Sequence, residues 1–127
     1  MRPNRLFAPS VVAVLAGCAT VSTTDGERLA VTSQEFRVYV ERVFREQNRV
    51  ADELAFALEA PDGSPEGLAV AEQRLLDACA GVNELATARR DERRLGVRRN
   101  LSAARSVSEC DRTTRTVEEL LTSGRAP

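Results

Sequence analysis

The stretch Arg89-Arg90-Asp91-Glu92-Arg93-Arg94-Leu95-Gly96-Val97-Arg98-Arg99 decides the fold, because a chain that turns here makes three helices and a chain that runs straight makes one long rod. Glycine is the commonest residue just past a helix end, so Gly96 marks a tight turn within residues 94–98. The cysteines point to the same place. Cys79 and Cys110 are equidistant from the midpoint between Arg94 and Leu95, and such residues face one another across an antiparallel hairpin. A disulfide between Cys79 and Cys110 is therefore expected, closing a loop of about 32 residues and contributing roughly 3–4 kcal/mol by the chain-entropy argument. In the rod the two thiols would stand about 46 Å apart, out of reach of one another. Metal or redox use of the pair is disfavoured, since the chain has neither histidine nor a Cys-x-x-Cys motif.

Helical patterns extend outward from this turn on both sides. Upstream, Leu68, Leu75 and Val82 recur with Ala71, Ala78 and Leu85, the alanines implying close approach of helices. Downstream, Ala103, Val107, Cys110, Thr114, Val117 and Leu121 follow in steps of three and four until Ser123-Gly124. Pro61-Asp62-Gly63-Ser64-Pro65 stops one helix and starts the next, with Ser64 as cap and Pro65 in the first helical position. A first helix is expected over residues 33–60, where Thr32 and Glu35 form a capping box. Its apolar rows contain Phe36, Val40, Val43, Val50 and Leu54, with Gln47 interrupting them as a partly exposed or hydrogen-bonded register residue. Residues 19–31 are small, polar and aperiodic, which reads as a flexible tether of roughly 20 Å on average and at most about 45 Å. The expected fold is all-α: an elongated up-down-up three-helix bundle over residues 32–123, its first helix about 42 Å long. Residues 124–127 are expected to form a disordered C-terminus.

Composition excludes several functions. The chain has 127 residues, no lysine, no histidine and no tryptophan, and a formal charge of −1. Without histidine it lacks the commonest metal ligand and the commonest general acid or base near neutral pH, so no catalysis, metal or cofactor is expected. The neighbouring carboxylates Asp91/Glu92 and Glu118/Glu119 point in different directions on a helix and read as solvated charges. One Tyr and four Phe leave little material for an aromatic pocket.

The N-terminus carries the clearest motif. Arg2 and Arg5 open it, an apolar run follows from Leu6 to Leu15, and Leu15-Ala16-Gly17-Cys18 closes it. The run is too short to span a bilayer, but the three parts together are those of a secretory signal. The closing residues resemble the lipobox of bacterial prolipoproteins. That resemblance implies that residues 1–17 are a signal peptide and that Cys18 is the acylated first residue of the mature chain. In diderm bacteria an aspartate after the lipidated cysteine retains a lipoprotein at the inner membrane; here that position is Ala19, so in an organism with an outer membrane the resemblance implies the periplasmic face of that membrane. Cleavage leaves 110 residues, one domain at most, and removal of Arg2 and Arg5 lowers the net charge to −3. Spending Cys18 on lipid leaves Cys79 and Cys110 as an even pair in an oxidising compartment.

Six arginines against two acids between residues 89 and 99 make a basic tip. The first helix leads away from the anchor and the second returns, so this tip is expected at the membrane end. There Arg93, Arg94, Arg98 and Arg99 could meet anionic head groups, each worth about 1 kcal/mol near the surface. Nucleic acid is not an expected partner outside the cytoplasm. The expected function is that of a non-catalytic envelope lipoprotein: a membrane-anchored interaction or accessory module for another envelope protein. The alternative is a membrane-held periplasmic inhibitor or stress protein acting through the Pro61–Pro65 loop.

Overall fold

The computed structural model describes residues 19–61 and 66–125, so Cys18, the preceding leader, and Ser64 with its neighbour Pro65 lie outside the described residues. Three helices form the body: α1 over Gln34–Leu58, α2 over Leu68–Arg90 and α3 over Val97–Ser123. All three pairs are in contact, and α2 with α3 is the closest-packed pair. The all-α three-helix bundle follows directly from the periodicity. Phe36, Val40, Val43, Val50 and Leu54 of α1 are buried against Leu68, Ala71, Leu75 and Val82 of α2 and against Val107, Val117 and Leu121 of α3.

The turn between α2 and α3 spans residues 91–96, starting three residues before the expected 94–98 and leaving Val97 and Arg98 inside α3, with a different residue in the strained position. Arg90 ends α2, and Glu92, at φ 52°, takes the left-handed conformation. The Arg93 amide donates to the Ala88 carbonyl at 2.8 Å and the Glu92 amide to the Arg89 carbonyl at 3.2 Å. Those two bonds are the Schellman pattern that satisfies the last carbonyls of a helix. Gly96 is instead the N-cap of α3, at φ −58°.

Cys79 and Cys110 are disulfide-bonded, with Cα atoms 4.6 Å apart and no exposed surface. The close approach continues at Gly81, where an added Cβ would stand 3.1 Å from the Ala103 Cα and 2.2 Å from the Ser106 Oγ. Backbone meets backbone there, so no larger residue fits without a shift of α3.

Residues 19–31 are not a flexible tether. Thr20–Ser22 (β1) and Arg28–Ala30 (β2) pair antiparallel, with Val21 opposite Leu29. The connection is a turn closed by the Gly26 amide on the Thr23 carbonyl, 3.1 Å, with Gly26 at φ 87°. This is the three-residue hairpin loop in which a type I turn is followed by a left-handed glycine. Val21 and Leu29 are buried and join the helical core, which is why so short a hairpin holds its shape.

Helix ends also differ from expectation. Ser33 rather than Thr32 caps α1, its hydroxyl accepting from the Phe36 amide at 3.1 Å. Helix α2 begins at Leu68 after Gly67, which is in the left-handed region, and not at Pro65. At the C-terminus Gly124 and Arg125 continue from α3 as a turn, and Arg125 reaches Glu53 at 3.0 Å. Residues 124 and 125, two of the four expected to be disordered, thus adopt a turn.

Candidate functional site

The hairpin brings the start of the described chain onto the body of the bundle. The Val31 amide donates to the Ala19 carbonyl at 2.9 Å, and Ser33, two residues beyond Val31, caps α1. Ala19 is therefore fixed at the end of the bundle where α1 begins. The turn joining α2 to α3 lies at the same end: Arg89 reaches back to Glu41 of α1 at 3.2 Å. Topology thus places Ala19, the first turns of α1 and the basic 91–96 segment together.

Between them is a cavity of 340 Å³. Its apolar floor includes Phe36, Val40, Leu85 and Leu95, and its rim carries Arg37, Arg89, Arg93 and Arg94. Among the described residues no carboxylate lines it. Of the four arginines expected to contact anions, Arg93 and Arg94 belong to this rim. Arg98 and Arg99 do not, and Arg99 pairs with Glu84 at 2.5 Å. Arg37 and Arg89 were not singled out by sequence reasoning. Their signal was available only through the hairpin topology, since 52 positions of chain separate them. Val97, just past the turn, is an apolar side chain left 85% exposed.

A second cluster surrounds Asp111, which is fully buried on α3. Its Oδ2 accepts from Thr24 Oγ1 at 2.7 Å, from the Tyr39 hydroxyl at 3.1 Å and from Arg42 at 3.1 Å, while Oδ1 takes Arg115 at 3.2 Å. One carboxylate thus ties the hairpin loop, α1 and α3 together. Burial raises the pKa of Asp111, but the hydrogen bonds from Thr24 and Arg42 and the Arg42 charge outweigh it, and the carboxyl ends below its ordinary value. Burial, then the Asp111 charge, pushes the Tyr39 hydroxyl up to about 12. Both groups move away from neutrality, opposite to the tuning that proton transfer near pH 7 requires. The cluster is built to hold parts in place. Sequence reasoning missed it, although a carboxylate four residues after Val107 and next to Cys110 occupies a core position of α3.

Gln47 is buried, and its amide donates to Asn83 of α2 at 2.7 Å, the hydrogen-bonded register role expected of it. The end of the bundle remote from Ala19 carries exposed Phe56, Val70 and Leu120. The last two line a shallow groove between α2 and α3. Most of the Pro61–Pro65 loop lies outside the described residues. No protein family, curated protein or solved structure matches this chain.

Proposed function

We propose that the protein is a lipid-anchored, non-catalytic module of the bacterial envelope, acylated at Cys18 and held at the periplasmic face of the outer membrane. In this reading it presents its far end to another envelope protein. The observation that carries the reading is the lipobox-like Leu15-Ala16-Gly17-Cys18, and the Ala19–Val31 hydrogen bond bears on how such an anchor would meet the folded domain. A residue acylated at position 18 is one peptide unit, about 3.8 Å, from a residue fixed to the folded domain. The bundle would then stand on the membrane with almost no slack, its arginine-rich end down. Several acyl chains on one residue make such an anchor durable.

At the opposite end, Val70 is 55% exposed and Leu120 39% exposed along one groove, an apolar edge suited to a partner helix or loop. Two measurements test the reading. Labelled palmitate should enter the wild-type protein but not Cys18→Ser, and the wild type should fractionate with the outer membrane. Photocrosslinkers at positions 70 and 120 should trap one dominant envelope protein, whereas one at exposed position 45 on α1 should not. Palmitate in the Cys18→Ser variant would remove the anchor, and identical crosslinks from all three positions would remove the docking edge.

A further inference from the structure

The cavity beside Ala19 combines an apolar floor with an uncompensated cationic rim. Arg37, Arg93 and Arg94 make no ion pair among the described residues, and the fourth rim residue, Arg89, is partnered only by Glu41 outside the cavity. A hollow floored by apolar side chains, with Leu85 and Leu95 partly exposed, favours a hydrocarbon occupant, and arginines crowded without carboxylates favour an anion that presents several acceptor oxygens. A phosphate ester bearing acyl chains satisfies both. The volume of 340 Å³ falls within the range of small-molecule sites but holds only the head and first methylenes of such a molecule. The remainder of its chains would stay in a bilayer, at the end of the bundle where exposed Val97 and the Ala19 connection also lie.

We propose that this cavity binds one anionic phospholipid of the supporting bilayer, its phosphate held by Arg37, Arg89, Arg93 and Arg94 and its acyl roots lying on Phe36, Val40, Leu85 and Leu95. The site deepens the membrane-anchored reading, but its lipid chemistry does not require Cys18 to be acylated, so the two can fail separately. It differs from a diffuse basic patch because the arginines surround a shaped apolar hollow. A diffuse patch would attract any anionic surface, whereas this site needs phosphate and hydrocarbon on the same molecule.

The test uses the purified whole chain carrying Cys18→Ser, so that no attached acyl chain competes. It is titrated with dihexanoyl phosphatidylglycerol below its micelle concentration and followed by amide NMR. The amides of Val40, Leu85 and Leu95 should shift together, with an affinity at least tenfold above that for dihexanoyl phosphatidylcholine or for glycerol phosphate. Arg93→Gln with Arg94→Gln, both exposed and outside the core, should weaken phosphatidylglycerol at least tenfold without altering the helical spectrum. Leu95→Ser should weaken it severalfold while leaving glycerol phosphate unchanged. Equal affinity for glycerol phosphate would reduce the site to a bare anion patch and overturn the proposal. Equal binding of both lipids, insensitive to the arginine pair, would also overturn it. So would the finding that acylated wild-type protein already shows the same amide shifts with no lipid added, since its own acyl chain would then fill the cavity.

Discussion

Asp111 gathers three long-range polar contacts, from Thr24 in the hairpin loop and from Tyr39 and Arg42 of α1, besides Arg115 on its own helix. Removing its charge while keeping its shape leaves Arg42 and Arg115 facing a neutral amide, so Asp111→Asn should destabilise the fold by about 2–3 kcal/mol, as for a charge-assisted buried network. Chemical denaturation at pH 7 measures that loss. The pH dependence follows from the shift. The folded carboxyl lies below its unfolded value of about 3.9, so its stabilisation is fully present above that value and is lost as pH falls through the lower, folded one. Acid unfolding of the wild type should therefore steepen below about pH 4, and the Asn variant should lose that part of the slope. Glu92 makes the converse case. At φ 52° it holds the left-handed position that the sequence assigned to Gly96. Glu92→Gly should raise stability by about 0.5–1 kcal/mol, glycine taking that conformation without steric strain. A loss of stability on thermal melting would mean that the Glu92 side chain matters more than its backbone.

The helices were legible because their cores are periodic. Leu68, Leu75, Val82 and Ala103, Val107, Thr114 recur at helical spacing, and every one of them is buried. The turn was legible for a different reason, the symmetric placement of Cys79 and Cys110, which needs no knowledge of the exact cap. What escaped was short and non-periodic. Two strands of three residues each offer only one inward side chain apiece, Val21 and Leu29, too few to show alternation. The Asp25-Gly26 pair was the remaining signal, one that commonly marks hairpin turns. Gly81 likewise looked unremarkable in an alanine-rich helix, although it sits where α2 meets the backbone of α3. The cavity could not be read at all, since its rim joins the first turn of α1 to the end of α2 and only the folded hairpin sets them side by side. The disulfide joins the other antiparallel pair, α2 and α3. Reduction should lower the melting temperature by about 12 °C or more, given roughly 3–4 kcal/mol from loop closure and 4–8 °C per kcal/mol for a domain of this size. A reduced protein melting within a few degrees of the oxidised one would assign the hairpin's stability to packing alone.

At the scale of the whole molecule the two ends differ in chemistry. One end gathers Ala19, the arginine-rimmed cavity and exposed Val97, and the other presents Phe56, Val70 and Leu120. Helix α1, with 25 residues, separates them by about 37 Å. If Cys18 carries the proposed anchor, the hairpin decides what that polarity means, because it turns a length of chain that would have let the bundle drift into a fixed connection. Ion pairs along the body reinforce the rod without favouring either end: Arg49 bridges Glu53 and Glu118, and Arg42 bridges Glu46 and Asp111. The central claim is therefore an orientation, with the Ala19 end seated on the membrane and the far end held out. The measurement that tests it most directly places an environment-sensitive fluorescent amino acid at position 97 or at position 56 of the acylated protein in anionic vesicles, with quenchers attached to the lipid head groups. The account predicts strong quenching at position 97 and almost none at position 56, about 37 Å away. Equal quenching at both positions, or stronger quenching at position 56, would contradict it.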